Sequence, residues 1–180
     1  MMRPAHFAVI LVLLFPLYSF SQKYTATEGF ISFFSSAPLE DIMAENRKVS
    51  SLYNAGTGDI AFSVPINQFQ FDKKLMQEHF NEKYMESEKY PRATFSGKIY
   101  GHTLSGTSPQ QVMAKGKLSI HGVVREVEIP GTIEQRKDLL VMKSKFRVRL
   151  EDYEIKIPRL VWQKIAEEVE VIVDLTYIRQ

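Results

Sequence analysis

The chain has 180 residues, with 23 Lys and Arg against 21 Asp and Glu, and 44% of its side chains are hydrophobic. That length fits one domain with a core large enough to stand without covalent staples. The complete lack of cysteine excludes disulfides, thiolate metal sites, cysteine nucleophiles and a lipoprotein anchor, while the near-balanced charge, with no basic stripe, argues against a nucleic-acid surface or a polybasic membrane patch.

Residues 1–21 read as a signal peptide. Arg3 supplies the positive start, and Phe7–Leu17 (FAVILVLLFPL) is an apolar run of 11 residues, too short for a membrane span, which needs roughly twenty. Ser19 and Ser21 place small side chains where a signal peptidase reads them, which sets cleavage before Gln22. Losing Arg3 takes the basic count from 23 to 22 against 21 acids. The mature domain, 22–180, is expected to be soluble, periplasmic or secreted, with no stable membrane span.

Lys23–Ser36 is rich in Thr, Tyr, Phe and Ser and suits a pleated surface. Ala37-Pro38 interrupts it, and Leu39–Asn46 fits either a helical turn or an irregular crossover. Val49–Tyr53 is a short strand, followed by a turn that carries Gly56 and Gly58. Ile60, Phe62, Val64 and Ile66 then alternate with smaller or polar residues, the period of a strand. Pro65 lacks a ladder donor, which places this strand near an edge or a bulge.

The spacing of Leu75, Met76, His79, Phe80, Tyr84 and Met85 predicts an amphipathic helix over about Asp72–Glu86, with Glu78, Glu82 and Glu86 on a solvated stripe. Tyr90-Pro91 ends it. Ala93, Phe95, Gly97 and Ile99 form the next strand face, and His102–Gln110 is a polar loop. Val112, Ala114, Gly116, Leu118 and Ile120 follow, and Ile120-His121-Gly122-Val123 reads as a tight hairpin turn. Val123, Val127 and Ile129 continue the apolar face, and Ile129-Pro130-Gly131-Thr132 suits a type II turn. Leu140, Met142, Phe146, Val148 and Leu150 mark another strand. Pro158–Glu167, with the single Trp162, reads as a short helix. Val169, Val171, Val173, Leu175 and Tyr177 mark the last strand.

About eight antiparallel strands, each with one dry and one wet face, are best satisfied by a closed barrel, with a sandwich as the alternative. Such a barrel can fill its interior with side chains or hold one small apolar ligand; periodicity by itself favours the filled core. Catalytic signals are sparse. There is no nucleophile elbow, no phosphate-cradling glycine loop and no paired-histidine zinc motif. His79 beside Glu78 and Glu82 has no second helical histidine to complete a metal site, so helix packing is the better reading of it.

The run HFNEKYMESEKYPRATFSGKI, followed by GKLSIHGVVREVEIPGTI, resembles the YceI-like family of secreted lipid- or polyisoprenoid-binding proteins. The elements that carry the likeness are His79-Phe80, Lys89-Tyr90-Pro91 with Phe95, and the stretch from Gly116 to Val123. The wording of Gln77–Ser87 and Leu150–Pro158 is most similar to members from Bacteroidetes-type bacteria. The resemblance implies an all-β fold, a lipocalin-like extended antiparallel barrel with one or two short covering helices. It also implies a long apolar pocket for a polyisoprenoid or isoprenoid quinone chain, and no enzymatic activity.

No catalytic residue, metal or cofactor beyond such a bound isoprenoid lipid is then expected. The expected lining is Phe62, Val64, Phe95, Ile99, Leu118, Ile120, Phe146, Val148, Val171 and Val173, with Phe80 and Tyr84 turned inward from the covering helix. The chain departs from the family where Thr27–Phe33 lacks an Asp-x-x-His-Ser block and where Val64-Pro65-Ile66-Asn67 replaces a polar segment. Any head-group contact from those positions is therefore in doubt. Two other readings are a filled barrel serving as a structural or partner-binding protein, and a hydrolase on the same scaffold.

Overall fold

The computed structural model describes residues 22–36, 41–103, 108–156 and 167–180. The signal peptide reading and most of the expected helix at 158–167 lie outside these residues, as do Leu39 and Glu40. Ten strands are present: β1 (Lys23–Ser35), β2 (Ile42–Asn46), β3 (Ser50–Asn54), β4 (Asp59–Pro65), β5 (Gln70–Phe71), β6 (Arg92–Tyr100), β7 (Gln110–Ile120), β8 (Val123–Arg136), β9 (Leu139–Arg149) and β10 (Glu168–Arg179).

Eight of them form a closed antiparallel barrel in the order β1-β3-β4-β6-β7-β8-β9-β10, and β10 returns to pair with β1 along nearly its whole length. Closure removes the exposed edges that an open sheet of this size would present. The two remaining strands are local. β2 pairs with the end of β1, from Ile31↔Asn46 to Ser35↔Ile42, while β3 pairs with its beginning, so β2 and β3 share one place in the wall. β5 adds a short outer pairing to β2.

Four sequence expectations change. Ile42–Asn46 is neither a helical turn nor a crossover but β2; the buried Asn46 secures it by donating from Nδ2 to the Pro65 carbonyl at 2.7 Å and accepting from the Lys48 N–H at 2.8 Å. Pro65 marks neither an edge nor a bulge. β4 has neighbours on both sides, and Pro65 is its last residue, where a missing donor costs little.

Pro130-Gly131 makes no turn, because β8 runs straight through it and reverses only at Lys137-Asp138. The covering helix is shorter than its pattern. α1 (Lys74–His79) passes into one turn of π-helix over Phe80–Tyr84. Leu75 is 61% exposed, because it sits about 100° around the helix from Met76, and a six-residue helix presents only a narrow stripe.

The hairpin between β7 and β8 forms as expected: His121 and Gly122 both have positive φ, 52° and 79°, the backbone of a type I′ turn.

The interior separates into two ends. At one, Tyr24, Tyr53, Leu140, Leu175 and Tyr177 pack into a solid plug in which Tyr177 and Leu140 are 0% exposed. The hydroxyls of Tyr53 and Tyr177 are satisfied in place, as burial requires. Ser51 Oγ donates to the Ala61 carbonyl at 2.9 Å and lies 2.7 Å from the Tyr177 hydroxyl. The Tyr53 hydroxyl lies 2.7 Å from His102 Nδ1. At the other end, the excursion between β4 and β6 (residues 66–91) and a 3-10 turn at Leu150–Tyr153 fold over the barrel around Val64, Ile66, Phe69, Met85, Val148 and Tyr153.

Candidate functional site

Between the plug and the cover lies a cavity of ≈ 580 Å³. Its walls follow from the period of two, which sends alternate side chains of each strand inward. From β4 come Ile60, Phe62 and Val64, and from β6 come Ala93, Phe95 and Ile99. β7 adds Val112, Ala114, Leu118 and Ile120; β9 adds Met142, Phe146 and Val148; β10 adds Val169, Val171 and Val173. The cover closes the space with Met76, His79, Phe80, Tyr84 and Met85. All twelve residues picked from the sequence border this one space.

Of the aromatic roof the sequence reading named only Phe80 as lining. Phe33 of β1, Phe69, Phe71 of β5 and Phe80 form a cluster with ring centroids 5.0–5.8 Å apart, within the range of favourable aromatic pairing. Phe33 was legible from its alternation with Ile31 along β1. Phe69 and Phe71 were not, since Phe69 follows a 3-10 turn and Phe71 lies in a two-residue strand, neither of which carries a period.

The lining is almost wholly apolar. Among the described residues its ionisable side chains are His79, Tyr84 and Lys143, and none of them is a carboxylate. Burial pushes the Tyr84 hydroxyl above its ordinary pKa, which keeps it neutral. Glu78, Glu82 and Glu86 are exposed on the outside of the cover. Among the described residues, no group of three or more His, Asp or Glu could hold a metal ion.

The cover is tied to the barrel at its far end. Glu86, with φ at 43°, reaches His121 on the β7–β8 hairpin, Oε2 to Nε2 at 3.0 Å. His121 Nδ1 lies 3.2 Å from the Tyr153 carbonyl, so one imidazole joins the cover, the hairpin and the 3-10 turn. Both partners are acceptors: a neutral tautomer satisfies one of them, and the imidazolium satisfies both. The Tyr90 ring stands edge-on to His121 at 4.5 Å, and a Cβ on Gly122 would meet it at 2.5 Å. Tyr90-Pro91 and His121-Gly122 are thus distant in sequence and in contact in space.

Residues 20–177 match the sequence pattern of the YceI-like domain. Among curated proteins none matches significantly. Several solved structures share the fold. BcnA of Burkholderia cenocepacia aligns with a TM-score of 0.71 and 17% identity over 82% of this chain and 95% of that one. A polyisoprenoid binding domain from Saccharophagus degradans, implicated in plant cell wall breakdown, aligns with 0.76 and 15% identity over 87% and 98%. The YCEI protein of Campylobacter jejuni aligns with 0.57 and 10% identity over 99% and 94%.

Proposed function

The chain belongs to the YceI-like domain family, and on that premise we propose that it is a carrier that holds an isoprenoid-type lipid, a polyisoprenoid or an isoprenoid quinone, without altering it. The observation that carries this reading is the apolar cavity of ≈ 580 Å³ beneath the aromatic roof, within the roughly 300–1,000 Å³ of ligand pockets. The likeness of the fold to a domain described as polyisoprenoid binding supports it. Each methylene buried there contributes about 0.8 kcal/mol, so part of a prenyl tail suffices for tight binding.

The hydrolase reading needs a nucleophile or carboxylate beside a base. Among the described residues no carboxylate lines the cavity with His79, and His121 is engaged at the hairpin. The filled-barrel reading is disfavoured by the size of the cavity. The export-type N-terminal segment suggests a periplasmic or secreted carrier. Among the described residues no helix is long and apolar enough to cross a membrane.

The test is to purify the protein from the cells that make it and extract it for mass spectrometry. A co-purifying prenyl lipid in near-stoichiometric amount is expected. Repeated recovery without lipid, together with no binding of added prenyl alcohols or quinones, would overturn the reading. N-terminal sequencing of the exported protein should begin at Gln22.

A further inference from the structure

One seam of the barrel wall, between β8 and β9, is paired over only part of its length. Their pairing runs from Arg136↔Leu139 to Gly131↔Ser144 and stops there. Beyond that point Val123–Pro130 of β8 pairs only with β7, and Lys145–Arg149 of β9 pairs only with β10.

Pro130 explains the stop. Ser144 Oγ donates to the Pro130 carbonyl at 2.6 Å, so that carbonyl faces β9, and in extended backbone the N of the same residue faces the same way. Proline has no hydrogen there, and the next rung cannot form. Gly131 permits the close approach just before the stop; a Cβ on it would lie 2.8 Å from the Lys143 carbonyl oxygen. The strands pinch together and then part.

The gap is a slot through the wall. A space of ≈ 330 Å³ occupies it, bordered outside by Arg125, Glu128 and Arg147 and inside by Leu118, Ile129 and Phe146. Those three inner residues also line the main cavity, which in turn reaches the outward-facing Pro130, Thr132 and Lys143.

Three of the charges beside the slot are engaged away from it. Lys145 and Arg147 pair with Glu170 and Glu168 on β10, at 2.8 and 3.7 Å, and Glu128 pairs with Lys115 on β7 at 2.7 Å. Of the ion pairs among the described residues, Arg125–Asp152 spans the slot, at its mouth near the cover: Nε donates to the Asp152 carbonyl at 2.9 Å, and the carboxylate lies 3.5 Å from the guanidinium. By contrast, the tyrosine plug fills one end of the barrel and the four-phenylalanine roof closes the other.

We infer that the β8–β9 slot is a lateral port, through which a single extended apolar chain passes between solvent or a lipid surface and the cavity, with Arg125 as its clasp. This rests on the carrier reading above. Passage through the slot parts the two contacts of Arg125 with Asp152 and no backbone rung, whereas, among the described residues, passage at either end displaces packed aromatic side chains.

Because the chain contains no cysteine, the double variant Glu128→Cys/Arg147→Cys can be bridged uniquely across the slot with a short bis-maleimide. The same variant capped at each thiol with N-ethylmaleimide serves as the control. The probe is dansyl-geranylgeraniol, followed by stopped-flow fluorescence, with equilibrium binding measured after long incubation.

The bridged protein is expected to take up and release the probe at least about tenfold more slowly than the capped control, as for a blocked gate, with its affinity unchanged. Arg125→Ala, made separately, is expected to speed both rates. Equal rates in bridged and capped protein, with binding intact, would overturn the port and leave the carrier reading standing. Absence of binding in the wild-type protein would overturn the carrier reading, and the port with it.

Discussion

His121 shows how much one side chain can organise here. It closes a two-residue turn with its backbone, ties the last turn of the cover through Glu86, and holds the 3-10 turn through the Tyr153 carbonyl. Replacing it, as His121→Ala, removes both hydrogen bonds and should lower unfolding stability by roughly 1–3 kcal/mol. Amide exchange should quicken at Ser87, Lys89 and Tyr90, whose N–H groups bond within the cover. Unchanged melting and exchange would show that the tie contributes nothing.

At the opposite end the titratable groups are locked in their neutral forms. Burial, with the neighbouring Tyr24, pushes Tyr53 up to about 12, and burial raises Tyr177 as well. An unfolded chain loses tyrosine protons near 10. Above that pH the folded state keeps the proton longer, so stability falls as pH rises through the window from 10 to 12. His102 is shifted the other way, below its ordinary value, by burial. The unfolded chain therefore takes up this proton first, and stability falls as pH drops below about 6.5. Melting temperature against pH should decline on both sides. Tyr53→Phe should make the alkaline limb shallower and His102→Gln the acid limb, and unaltered slopes would contradict the assignment.

The cover is an element whose sequence and structure diverge instructively. Its pattern suits a helix of four turns, yet α1 spans Lys74–His79 before the π turn takes over. The wider turn brings Met85 round to the side of Phe80 and Tyr84, where a regular helix would set it about 140° from Phe80. Phe80 then touches Phe33, Phe69 and Phe71. Phe80→Ala should cost roughly 2–3 kcal/mol by denaturant titration, below the 3–5 of a fully buried phenylalanine, because Phe80 keeps some exposure. It should also raise exchange along α1 before global unfolding. If melting, exchange and probe binding all stay at wild-type values, the residue does not hold the roof.

For the molecule as a whole, the carrier reading puts stability and binding in different regions. The plug around Tyr177, Leu140 and Leu175 is solid, while the space between it and the roof is hollow. A substitution that fills the hollow should therefore separate the two properties. Ala114, on the inward face of β7 and bordering the cavity, is the place to try. Ala114→Phe should leave melting within about 1–3 kcal/mol of the wild type, the usual cost of local overpacking. It should weaken binding of a geranylgeranyl probe by tenfold or more, close to the 1.4 kcal/mol that a factor of ten represents. Equal affinity in the filled variant would place the bound chain elsewhere.

The strands, their inward faces and the type I′ hairpin at His121-Gly122 could be read from the sequence alone, because a period of two and a turn residue with positive φ are local properties of the chain. The same alternation named ten lining residues, since the face that turns from water in a strand is the face that borders a barrel interior, and the helical spacing of the cover named Phe80 and Tyr84. Whether that interior is hollow was not local. It depends on the separation of opposite walls, and periodicity favoured a filled core where the structure has a cavity. Phe69 and Phe71 entered the roof through three-dimensional packing without any period to announce them. Pro130-Gly131 spelled a turn, yet it lies inside β8, because pairing with β7 holds the strand extended through it. Only the closed barrel turned that dipeptide into the place where one seam of the wall parts.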